Sequence, residues 1–135
     1  MLPEFPHTRR LNAFELAEVI TSHSFNNPGT ETYLRKLLWW TINDIYRFNS
    51  NLEVETSMKS LFEENLESLI YKNPPQSPEN HLQLAEIYRE LNQFNQARQC
   101  LHLVKSPSLE KFVNQMNLKI DEMDNRVFLL GRTVF

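Results

Sequence analysis

Trp39, Trp40, Asn43, Asp44 and Arg47 stand together in the run YLRKLLWWTINDIYRFN, residues 33–49. Indole N–H donors, an amide, a carboxylate and a guanidinium could orient a ligand or a peptide, or they could tie helices together. On a helix, Asn43 follows Trp39 by four residues and Trp40 by three, and Asp44 follows Trp40 by four. Arg47 follows Asn43 by four and Asp44 by three, so Trp40, Asn43, Asp44 and Arg47 are expected to share a face. Neighbouring helical residues lie about 100° apart, so the two indoles must meet different neighbours. The leading expectation is a structural anchor, in which Asn or Asp accepts from an indole N–H and Arg stacks on the ring. The alternative is a polar–aromatic pocket around Trp40, Asp44 and Arg47 that binds a small ligand or carries chemistry.

No other group of residues has catalytic spacing. His7, His23, His81 and His102 form no i,i+3 or i,i+4 pair, and Cys100 is the only cysteine, so no metal-ligand set and no intrachain disulfide is expected. Cys100 and His102 are near neighbours on one helix, which does not make a catalytic dyad. Glu63, Glu64 and Glu67 lie opposite an apolar stripe and read as a solvated face. No catalytic residue, cofactor or metal is expected, and the chain is read as a non-enzyme.

The composition narrows the classes further. Formal net charge is −3, and residues 51–80 hold six acidic residues against Lys59 and Lys72. With no basic run to neutralise phosphates, nucleic acid is not the expected partner. Only Gly29 and Gly131 are glycines, which argues against phosphate-cradling loops and tight hairpins. No apolar run approaches the roughly 18 residues of a membrane span. Met1 to Arg10 lacks the apolar centre of a signal peptide. With one cysteine, the expected compartment is a reducing cytoplasm. The 135 residues suit a single helical domain, 1–135, with an N-terminal arm at 1–10 and an apolar tail at 126–135.

The elements that must position these side chains are all helical, about six in antiparallel hairpins. Breaks fall at Asn26 to Gly29, Asn49 to Asn51, Asn73 to Pro78, Asn92 and Ser106 to Ser108. Helical spacing is expected over Leu11 to His23, over Thr30 to Phe48 with Thr30 as N-cap, and over Val54 to Tyr71. The apolar arc of the second helix is wide, which predicts packing on two sides. Ser77 is expected to cap a helix with Pro78 in its first position. That helix carries Leu84, Ala85, Tyr88 and Leu91. A further helix carries Phe94, Ala97, Leu101 and Val104, and Ser108 is expected to cap the last, which carries Leu109 to Ile120. The tail RVFLLGRTVF is expected to lie extended on the bundle, with pairing to another strand or binding to a partner, a second copy included, as the alternatives.

Leu84 to Leu101, LAEIYRELNQFNQARQCL, resembles a tetratricopeptide repeat. Leu84, Ala85 and Tyr88 match its first helix, Asn92 its turn glycine, Phe94 the aromatic that follows, Ala97 the small residue of its second helix, and Pro107 its closing proline. The resemblance implies a helical hairpin with Tyr88 as a wedge. Steps of about 34 residues from Ala85 and Ala97 reach Asn51, Glu63, Lys119 and Gly131, so the pattern does not recur. The order of Trp39, Trp40, Asn43, Asp44 and Arg47, then Leu84 to Ala97, then Asp124, Arg126, Val127 and Phe128 is similar to a helical region of uncharacterised bacterial proteins. Some of those carry a zinc ribbon upstream, whose cysteines this chain lacks. The expected function is a protein–protein interaction module, with another protein or a second copy as partner.

Overall fold

The computed structural model describes residues 12–22, 24–25, 27–48, 52–72 and 74–123. The N-terminal arm and the apolar tail lie outside the described residues, as does the side chain of Arg47. The helices are α1 (Ala13–Ser22), α2 (Pro28–Phe48), α3 (Leu52–Lys72), α4 (Pro78–Glu90), α5 (Phe94–His102) and α6 (Glu110–Asp121), with a 3-10 turn at Pro107–Leu109. No strand occurs among the described residues.

Local chemistry sets most of the helix starts. Asn12 and Glu15 form a reciprocal capping box: Asn12 Oδ1 accepts from the Glu15 N–H at 2.8 Å, and Glu15 Oε1 accepts from the Asn12 N–H at 3.0 Å. Ser77 Oγ accepts from the Asn80 N–H at 3.1 Å ahead of Pro78, as the sequence predicts. Two expected caps are displaced. α2 starts at Pro28, and Asn27 Oδ1 accepts from the Gly29 N–H at 2.9 Å, which places Thr30 inside the first turn. Proline needs no acceptor for an N–H and already has helical φ, so it begins the helix early. Pro107 acts similarly. It opens the 3-10 turn, Ser108 falls inside that turn, and Leu109 occupies the N-cap position of α6.

Burial divides into two apolar clusters. The first joins Ala13, Leu16 and Ile20 of α1, Leu34, Leu38, Trp39 and Ile42 of α2, and Met58, Phe62, Leu66 and Leu69 of α3. α2 packs on both α1 and α3, which its wide apolar arc requires. The second cluster joins Leu82 and Ala85 of α4 to Ala97, Cys100 and Leu101 of α5 and to Leu109, Met116 and Ile120. Helix α4 belongs to both, because Ile87 projects into the first cluster. Glu63, Glu64 and Glu67 are exposed, as expected of a solvated face.

Helices α4 and α5 form a tight hairpin. Ala85 and Ala97 are fully buried, and small side chains here let the helix backbones approach. Asn92 turns the chain with φ of 63°, a left-handed conformation that glycine and asparagine adopt most readily. Its N–H donates to Arg89 O at 3.0 Å, and the Gln93 N–H donates to Tyr88 O at 2.8 Å. Two carbonyls left over at the end of α4 are thereby satisfied. Among the described residues no helix is long and apolar enough to cross a membrane.

Candidate functional site

Because α4 is covered on two sides, four of its polar residues are covered as well. Gln83, Glu86, Arg89 and Glu90 are all buried. Arg89 donates from Nε to Glu86 Oε1 and from Nη2 to Glu86 Oε2, both at 2.7 Å. The pair is bidentate and excluded from water, which makes it strong in geometry and costly in desolvation. Glu90, one turn beyond Glu86, faces α2. Trp39 Nε1 donates to Glu90 Oε1 at 3.0 Å. With its amide nitrogen turned toward α4, Asn43 donates to the same oxygen at 3.1 Å and accepts from Trp39 Nε1 at 3.0 Å. A five-residue polar cluster thus spans α2 and α4, with Trp39 only 1% exposed.

Its electrostatics are lopsided. Glu86 has a guanidinium against both oxygens. Glu90 Oε2 is buried and meets no hydrogen-bond partner among the described residues. Burial drives the Glu90 pKa well above the usual carboxylate value. The neighbouring Glu86 carboxylate pushes the same way, while the Trp39 bond and Arg89 oppose.

The structure therefore splits the residues singled out above. Trp39 and Asn43 meet in the cluster. Trp40 is half-buried, and its Nε1 is buried without an acceptor among the described residues. Asp44 is half-buried. Asn43, one helical turn after both tryptophans, bonds to Trp39, and Glu90 is there to receive its amide nitrogen. Glu86, Arg89 and Glu90 are the residues that sequence reasoning missed. A signal was present: Ile87 and Leu91 interleave with them at helical spacing, and apolar residues there imply a second covered face on α4.

A surface feature lies elsewhere. Between α5 and α6 runs an open groove of about 350 Å³, with Leu101, Val104 and Val113 as apolar lining and Arg98, His102 and Lys105 beside them. Arg98 Nη2 crosses to Asp121 Oδ1 at 2.8 Å, joining the two helices at its edge. Cys100 is buried under this hairpin, and burial pushes its thiol pKa up. Burial likewise raises the Tyr88 pKa. Compared with models of known families, with curated proteins and with solved structures, the chain matches none.

Proposed function

We propose that the chain is a non-enzymatic protein-interaction module built around a tetratricopeptide-like hairpin, α4–α5, and working in the bacterial cytoplasm. The observation that supports this reading is the solvent-open groove between α5 and α6. The Trp39–Asn43–Glu86–Arg89–Glu90 cluster is buried and spent on joining helices, whereas the groove offers apolar surface and hydrogen-bonding charge to a partner. Asp121 at its edge is paired with Arg98, and Lys105 and the imidazole of His102 offer a charge and hydrogen-bonding groups beside the apolar lining. The fitting partner is a segment of another protein with acidic residues beside apolar ones.

A second copy of the chain is the other occupant, because the exposed Glu63, Glu64 and Glu67 of α3 present such an acidic face. The test pairs affinity capture with light scattering, using the wild type and the double variant H102E/K105E. A protein retained by the wild type and lost by the variant supports the reading. A dimeric mass that the variant reduces to a monomer assigns the groove to self-association. Equal retention by both proteins removes the groove from consideration.

A further inference from the structure

We propose that a single proton, shared by Glu86 and Glu90, is what lets Glu90 stand buried between α4 and α2, and that the fold loses stability when this proton leaves. Glu86 uses both oxygens on the Arg89 guanidinium at 2.7 Å. Glu90 Oε1 accepts from Trp39 and, in the favoured amide orientation, from Asn43. That leaves Glu90 Oε2, buried and without a partner among the described residues. An ionised carboxylate there would place a second negative charge beside Glu86 with one guanidinium between two anions, away from water. A proton on Oε2 removes that charge and turns the orphaned acceptor into a donor toward Glu86.

The groups around Glu90 allow no easier solution. From α4 it faces Glu86 and Arg89, and from α2 it faces Trp39 and Asn43, neither of which titrates in the relevant range. Arg35, one turn before Trp39 on α2, is engaged by Glu31 at 2.9 Å and by Asn65 of α3 at 3.2 Å. Asn65 is occupied in return, donating to the Arg35 carbonyl at 2.9 Å. Among the described residues no second cation reaches Glu90. The raised pKa of its carboxyl agrees with this arrangement.

The linkage follows. A carboxyl whose pKa is raised on folding favours the folded state fully at pH below its unfolded value. That contribution is lost as pH rises, until the folded pKa is passed. The contribution of Glu90 to folding is therefore greatest in acid and least in alkali. Ionisation would leave an anion in the interior beside Glu86, a cost in desolvation and repulsion that outweighs the stronger bond from Trp39.

The deciding experiment measures unfolding by denaturant for the wild type and Glu90→Gln from about pH 5 to about pH 9. Glutamine can reproduce the neutral acid, accepting from Trp39 at its oxygen and donating to Glu86 from its nitrogen. The expected result is that the wild-type folding constant falls relative to the variant by up to about tenfold per pH unit. The fall stops above the folded pKa. Parallel curves, or a variant that is unfolded at neutral pH, overturn the proposal. A second measurement needs no variant. The infrared spectrum of the folded wild type at neutral pH should contain the carbonyl band of a protonated carboxyl, and unfolding should abolish it. Absence of that band from the folded protein overturns the proposal equally.

Discussion

Trp39 and Glu90 are 51 residues apart in the chain and joined by an indole N–H to carboxyl bond of 3.0 Å in the interior. Trp40, next along α2, has an indole N–H with no acceptor among the described residues. The two neighbours should therefore respond in opposite ways to the same change. Trp39→Phe removes a donor from a buried carboxyl and leaves space in the core, at a cost of about 2–4 kcal/mol. Trp40→Phe removes an unsatisfied donor from a half-buried position and should change stability by less than about 1 kcal/mol. Thermal melts of both variants check this. At about 2–4 °C per kcal/mol, the gap between their midpoints should be several degrees, with Trp39→Phe lower.

Arg89 holds Glu86 with two bonds, and both side chains are excluded from water. Arg89→Met leaves Glu86 uncompensated beside Glu90 and should cost about 3–5 kcal/mol. If the loss comes from the stranded charge, it should be largely recovered in the double variant E86M/R89M, where neither charge remains. Denaturant titration of the two variants separates this from simple loss of packing, which the double variant would not restore.

These residues also show what could be read from the chain and what could not. Ser77–Pro78 announces the start of α4 because capping is local, and the Trp39–Asn43 relation is an i,i+4 step. The α1–α2–α3 apolar stripes were legible for the same reason, as period and burial coincide there. Thr30 and Ser108 misled because a nearby proline, Pro28 or Pro107, starts its turn first. Glu90 could not be assigned to Trp39, since nothing local distinguishes a carboxyl packed against another helix from one in water. Only Ile87 and Leu91, on the same side of α4, hinted that the face was covered.

Asn92 has φ of 63° at the α4–α5 turn. A left-handed conformation costs a branched side chain roughly 1–2 kcal/mol more than it costs glycine or asparagine. Asn92→Gly should hold stability within about 1 kcal/mol. Asn92→Val should lower it by about 1–2 kcal/mol, with the hairpin amides of Asn92 and Gln93 losing protection first. Hydrogen exchange at those two amides, which donate to Arg89 O and Tyr88 O, is the readout.

Glu31 has the opposite pH dependence to Glu90. Its Oε2 accepts from Lys72 Nζ at 2.6 Å and from Arg35 Nε at 2.9 Å, tying the start of α2 to the end of α3. The bonds from Lys72 and then Arg35 hold its pKa below the ordinary carboxylate value. A lowered pKa contributes stability above the unfolded value, and that contribution is lost as pH falls through the folded one. Lys72 is half-exposed, so the pair is screened, and Glu31→Gln should cost under about 1 kcal/mol at neutral pH. The difference from wild type should close as pH falls below the carboxylate range and shrink with added salt. A difference that persists in acid would mean that Glu31 stabilises α2 by packing and not through its charge.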